Sequence, residues 1–417
     1  MADARAAFAK GLEAQRARVV ELCRRLAATD SQNPPGDTGA IAQVCYDALA
    51  AVPGVEVRKV VAKAPMTNIV GRIAGGKPGR RLVFNGHLDT GPVADPSQWT
   101  VPPFGGVVRD GRIYGRGVCD MKAGLTAGIM ALAMLAQVRE QFSGEFVVTL
   151  VADEGSGAQW GTTHLLENEK LALGDAMLSG DVGSPHVARF GEKGFLWLEV
   201  QAAGKSAGGA HTYLGINAVD RLMAALGRLQ GLEKLACPVP ESLLAAIDAA
   251  APISEPMAGP GETDTLKRIT VNVGVFEGGR KINQVPDRAK AQLDIRFPPG
   301  MTLQVLRAEV ERLTRDLAGI SVEELDGAEP NWTDPASEIV QLVQRNGKEV
   351  LGRRPAATLR HGFSDSRLYR LRNIPCVVYG ATPHNSNAPD EYAEVDDLMA
   401  LFRVHALTAY DFLAEKA

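Results

Sequence analysis

Apolar positions along the chain recur with two periods, and the order in which these periods alternate predicts the architecture. The first 30 residues, MADARAAFAKGLEAQRARVVELCRRLAATD, mix apolar and charged positions as an amphipathic helix does, and a second helix is predicted near 37–51. Strand-like VEVRKV and TNIVGRI follow, and RLVFNGH reads as a buried strand. MKAGLTAGIMALAMLAQV, at 121–138, predicts a helix whose many Ala and Gly positions allow close packing on a sheet, and GEFVVTLVAD is the next central strand. This first third is an α/β pattern.

From about residue 190 the pattern changes. GFLWLEVQAAGK reads as a strand, 215–230 as a helix, RITVNVGVF and RAKAQLDIRF as alternating strands, TLQVLRAEVERLTRDL as a helix and ISVEEL as a strand. That order is the ferredoxin-like unit. The Pro- and Ala-rich stretch 236–262 reads as an inserted loop with a short helix at 241–250. The last 90 residues return to α/β texture, so 191–326 is predicted to interrupt a discontinuous domain made of 1–190 and 327–417. The length of 417 residues fits two domains.

Composition narrows the function. Charges nearly balance, 45 basic against 49 acidic for a formal net charge of −4, which argues against nucleic acid as a partner. The N-terminus lacks the apolar core of a signal peptide, and no apolar run reads as a membrane span. Five scattered cysteines without a CxxC pair argue against a disulfide framework. Together these features predict a soluble cytosolic protein without a membrane partner.

Candidate chemistry gathers where strands end. His87 and Asp89 in FNGHLDT lie two apart, so on an extended segment both leave on one face and the carboxylate can orient the imidazole. In YGRGVCDMKAG, Gly115 and Gly117 shape a turn and Asp120 opens a helix, a position where Asp also serves as an N-cap. Asp153 and Glu154 end GEFVVTLVADE, Asp181 follows an apolar run in LSGDVGS, and His384 stands in ATPHNSNAPDEY. Imidazoles with several carboxylates suit a zinc, cobalt or manganese site, and a divalent cation offsets the repulsion among clustered acids.

These motifs, with GEKG, GGRKINQVP, LDIR and SDSRLY, occur in the order and approximate spacing of one family. Over roughly residues 15–415 the chain resembles the co-catalytic metallohydrolases that include aminoacylase, acetylornithine deacetylase, succinyl-diaminopimelate desuccinylase and bacterial glutamate carboxypeptidase. The resemblance implies a zinc-peptidase-like α/β catalytic domain with an inserted ferredoxin-like α+β lid that also forms a homodimer. It implies that His87 and Asp181 hold one metal, that His384 helps hold a second, that Asp120 bridges them and that Asp89 orients His87. It further implies a general base from the acidic pair. Asn283, Arg296 and Arg367 match positions that contact the substrate, Arg suiting a carboxylate.

Two departures stand out. Relatives commonly have His directly after GKSA in the lid, where this chain has Gly208, and His211 three residues on is the candidate replacement. Relatives also show three consecutive acids, Asp-Glu-Glu, where this chain has Asp153, Glu154 and Gly155. In direct register Glu154 is the base and the second metal loses a carboxylate; one residue out of register, Asp153 is the base and Glu154 the ligand. The site therefore takes one or two divalent ions. The expected activity is hydrolysis of a C–N bond in an N-acyl amino acid or small peptide with a free carboxylate. Two alternatives stay open: hydrolytic deamination of an amino-substituted aromatic acid, and a ligand-binding relative without catalysis.

Overall fold

The computed structural model describes residues 2–414. Its contacts divide the chain into two units, Met1–Phe190 with Thr333–Thr358 and Ser364–Ala417, and Gly191–Trp332 with Leu359–Phe363.

In the first unit six neighbouring strands of a mixed sheet run in the order Glu56–Lys63, Met66–Ala74, Ser143–Val151, Lys77–His87, Ala176–Ser179, Cys376–Val378. The last four are mutually parallel, so their carboxyl ends share one edge of the sheet. Ligands gather at that edge in α/β sheets because the loops leaving it are free to converge. The first helix predicted from sequence is two, Ala2–Glu13 and Arg16–Ala27.

Helix Ala123–Gln137 crosses the sheet with every residue from Ala123 to Leu135 buried. Its small residues set how closely it lies: a Cβ on Gly128 would stand 2.4 Å from the Phe84 ring. By length and composition Val118–Gln137 is apolar enough to span a membrane, contrary to the sequence reading, but 94% of that window is buried within the fold. This helix starts later than predicted. Asp120 is not its N-cap: the residue has φ −127° and ψ 86° inside the turn Val118–Lys122, and Lys122 takes the capping position.

The second unit has an antiparallel sheet in the order Thr270–Gly278, Arg288–Phe297, Gly194–Ala203, Ile320–Ala328. Helices Ala218–Leu229 and Leu303–Thr314 pack on it around Leu198, Val200, Leu222, Leu293 and Leu306. The unit is ferredoxin-like in strand order and connection. It includes Leu359–Phe363, which sequence periodicity assigned to the other domain; Phe363 stacks on Phe195 at 4.9 Å and Lys193 N donates to Arg360 O.

The short helix expected at 241–250 runs on as Glu241–Ala258, despite Pro252 and Pro256 inside it, and a second helix, Glu262–Lys267, follows where a loop was expected. The second of these helices helps enclose Lys193, which is 1% exposed and donates from Nζ to Thr265 O at 2.6 Å and Arg268 O at 2.7 Å. Burial pushes its amine down to about 7. Between that value and the ordinary lysine pKa near 10.4 the unfolded chain binds a proton the folded chain has released, so this residue makes stability rise with pH. Lys193→Met is expected to abolish up to about 1.4 kcal/mol per pH unit of that rise. Urea midpoints of both proteins at pH 7.5, 8.5 and 9.5 check this, and a constant gap between them contradicts it.

Candidate metal centre

His87 and Asp181 stand at or just beyond the ends of parallel strands, and Asp120 comes from the turn Val118–Lys122 that precedes the buried helix. His87 is the last residue of Lys77–His87 and lies beside Val151, the last residue of Ser143–Val151. Its Nδ1 donates to the backbone oxygen of Asp89 at 2.8 Å, with the Asp89 carboxylate farther off at 3.7 Å. That bond fixes the tautomer and leaves Nε2 as the ligand atom.

Nε2 faces Asp120 Oδ1 at 3.0 Å. Asp120 is aimed by a turn in which Gly117 adopts φ +76°, and a Cβ there would fall 2.0 Å from Thr90 Cγ2. The turn is clamped from the other side by Glu391, 1% exposed, whose two carboxylate oxygens accept from Gly117 N at 3.1 Å and Cys119 N at 3.0 Å. Sequence reasoning quoted Glu391 inside PDEY without assigning it a role. Beneath the turn Lys122 Nζ donates to Thr29 O and Arg116 O, and burial pushes its pKa down to about 8.

Asp181 follows strand Ala176–Ser179 and is oriented by two bonds: its Oδ1 accepts from Val182 N, and its backbone N–H donates to Ser179 Oγ. Among the described residues, ligand atoms of His87, Asp120 and Asp181 form a group lying within 4.8 Å of one another. One imidazole nitrogen and two carboxylate oxygens at that spacing fit a divalent cation with open positions. Burial opposes charge on His87, yet the Asp120 bond and the charges of Glu154, Asp120 and Asp89 hold its pKa well above the ordinary value.

The adjacent acids diverge. Asp153 adopts φ +62°, a left-handed conformation costing about 1–2 kcal/mol for a residue with a side chain. Its carboxylate turns inward, accepting from Trp160 N at 2.9 Å. Glu154 lies close enough to the ligand group to feel its charges: burial raises its pKa well above the carboxylate range, His87 opposes this, and Asp365, Asp181 and Asp120 add to it. Asp365, missed beside Arg367 in SDSRLY, accepts from Thr162 Oγ1 at 2.6 Å, and burial pushes it up to about 7.

Other predicted residues are not members of that three-ligand group. His384 is not in it, its ring instead stacking on Tyr392 with centroids 4.6 Å apart. Arg367 is half-buried in helix Ser366–Arg370 of the first unit. In the second unit Arg296 is held by both oxygens of Asp294, at 2.7 and 3.1 Å, with its guanidinium over the Phe195 and Phe363 rings. His211 and Asn283 are exposed on adjoining segments, where Gly209 N donates to Asn283 O; a Cβ on Gly208 would stand 3.5 Å from His211 Nδ1. His361 bonds to Thr265 Oγ1 at 2.7 Å.

Comparison with known proteins identifies relatives of the chain. The chain is 27% identical over 339 residues to a succinyl-diaminopimelate desuccinylase of Rhodospirillum centenum, covering 79% of this chain and 81% of that one. Its fold is similar to that of an M20 family metallo-carboxypeptidase from Sulfolobus solfataricus, with a TM-score of 0.75, 19% identity and coverage of 95% and 99% of the two chains. It is also similar to a Bacillus subtilis dinuclear metal binding peptidase from the M20 family, with a TM-score of 0.67, 15% identity and coverage of 96% and 99%. The family model for peptidase family M20/M25/M40 matches residues 83–411, spanning the carboxyl-terminal edge of the parallel strands and the whole second unit, and the chain belongs to that metallohydrolase family.

Proposed function

We propose that this protein hydrolyses the amide C–N bond of an N-acyl amino acid or small peptide, with Glu154 as general base and one resident divalent ion, zinc, manganese or cobalt. The observation that carries the reading is the convergence of His87, Asp120 and Asp181, with Glu154 within the reach of their charges. A cation held there supplies Lewis acidity, making water nucleophilic near neutral pH and polarising the scissile carbonyl. Glu154 takes the proton of the attacking water and returns it to the departing amine. No covalent intermediate on the protein is needed.

The second metal of the two-ion scheme lacks a carboxylate at Gly155, and His384 lies against Tyr392, which supports one ion. Arg367 and Arg296 are the candidate partners of a substrate carboxylate, Arg296 less directly because Asp294 already neutralises it. His211, beside the position of Gly208, takes the part of the lid histidine, with Asn283 as its neighbour. The second unit would serve as lid and as the surface of a homodimer.

The test is a turnover screen of the full chain, stripped by chelation and reloaded with zinc, manganese or cobalt. The panel comprises N-succinyl and N-acetyl amino acids, dipeptides and amino-substituted aromatic acids. Metal-dependent release of a free amine from the first two groups or from dipeptides is expected. Ammonia from the aromatic acids alone would move the activity to deamination, and binding without product would remove catalysis.

A further inference from the structure

The turn that carries Glu154 has almost nothing packed on it. Gly155, Ser156 and Gly157 are exposed, and a Cβ at Gly157, where φ is +106°, would meet no atom within 4 Å. The residues after Glu154 therefore add little packing to hold the turn, and polar ties hold it instead.

Those ties converge on Asp89. Its Oδ1 accepts from Glu154 N and its Oδ2 from Gly155 N, each at 3.1 Å. Because His87 Nδ1 takes its bond from the Asp89 backbone oxygen, the carboxylate serves the turn rather than the imidazole. The same Oδ2 accepts from Asn33 Nδ2 at 2.9 Å, and Asn33 Nδ2 also donates to Ser156 Oγ at 2.9 Å. One amide group thus joins Asp89, two residues beyond the strand that ends at His87, to the far side of the base turn.

Asn33 is itself anchored. Its backbone N–H donates to Thr90 O at 2.8 Å, Thr90 N donates to Ser31 O at 2.9 Å, and Val93 N donates to the side chain of Gln32 at 2.7 Å. We propose that Asn33 is a positioning residue for Glu154, its side-chain amide clasping Asp89 and Ser156 so that the base turn is held against the His87 strand. The proposal rests on Glu154 being the base. Its chemistry is specific to an amide: a carboxylate at position 33 would oppose Asp89, and a methyl group would leave Ser156 Oγ tied only to Asp153 O, at 3.4 Å.

The experiment compares Asn33→Ala, Asn33→Asp and Ser156→Ala with wild type in the manganese-loaded full chain. Amide hydrogen exchange at Glu154 and Gly155 is read together with kcat and KM on the panel substrate of highest turnover. Loss of one charge-assisted hydrogen bond predicts about tenfold faster exchange at these two amides in Asn33→Ala, and about tenfold lower kcat with KM within about twofold. Asn33→Asp should exceed both changes and Ser156→Ala should fall short of them, with Tm unmoved.

A merely structural Asn33 would lower Tm and raise exchange across the sheet instead, overturning the proposal. Unchanged exchange at Glu154 and Gly155 in Asn33→Ala and Ser156→Ala also overturns it, and Ser156 is exposed enough that its variant should fold. Faster exchange with unaltered kcat overturns it through its premise, which Glu154→Gln tests separately.

Discussion

Changing Glu154 to glutamine is expected to lower kcat by roughly two to four orders of magnitude while leaving metal content at the wild-type level. Glutamine keeps the size of the side chain and its reach into the ligand group, but its amide cannot collect a proton from water. Metal content should hold because the ligand group consists of His87, Asp120 and Asp181 and does not include Glu154. The companion change Asp153→Asn separates the two registers of the acidic pair. Asp153 accepts from Trp160 N and faces inward, so its amide variant should lose stability, by about 1–3 kcal/mol for a weakened bond to a charged group, and keep most of its turnover per folded molecule. Metal analysis by mass spectrometry, steady-state kinetics and urea unfolding on both variants give the answer. Full turnover in Glu154→Gln, or a deeper loss in Asp153→Asn, would remove Glu154 as the base.

The divergence of these two acids shows where sequence reading stops. Their strand, Ser143–Val151, was legible from its run of apolar residues, and so were the neighbouring strand ending at His87 and the six elements of the second unit. Hydrophobic period reports local structure because each strand or helix must bury a face wherever it lies. It also told which end of each strand bears chemistry. It could not tell that Asp153 adopts a left-handed turn beyond the strand's end, so that local turn geometry rather than strand alternation sets where the two side chains point. The backbone at Asp120 was hidden for a related reason: an Asp just before a small-residue helix also looks like a cap, whereas the chain there makes a turn pinned by Glu391, which accepts from Cys119 N across 272 residues. The helix Glu241–Ala258 was shortened because two prolines look like stops. Its buried positions Leu243, Ile247, Ala250 and Ser254 nevertheless keep helical spacing, a signal that composition obscured. Asp365 and Asn33 had no local signature at all, since a carboxylate or amide becomes informative through its partner, and each partner lies over 50 residues away.

Installing the missing acid, Gly155→Glu, is expected to raise the bound metal from one ion per chain to two. The position can accept a side chain: Gly155 has no left-handed φ, and an added Cβ would meet only Asp89 Oδ2, at an ordinary 3.4 Å. Space is therefore not what excludes a second carboxylate ligand. Charge is the deciding quantity. Asp89, Asp120, Asp181, Glu154 and Asp365 already crowd one edge of the sheet, and burial with mutual repulsion holds Glu154 and Asp365 above their ordinary pKa values. A further glutamate in that field is unfavourable alone, as like charges raise one another's pKa, and becomes favourable only when a second cation enters with it. His384 would have to exchange its stacking on Tyr392 for coordination, a cost on the order of 1 kcal/mol that a metal–imidazole bond exceeds. Elemental analysis after equilibration with manganese or zinc should thus return one ion for wild type and two for Gly155→Glu, with a second heat signal in titration calorimetry of the variant alone. Two tight ions in wild type would show that Asp120 and His384 suffice without residue 155 and would end the one-ion reading. One ion in a folded Gly155→Glu would show that the stacked His384, rather than the missing acid, closes the second position.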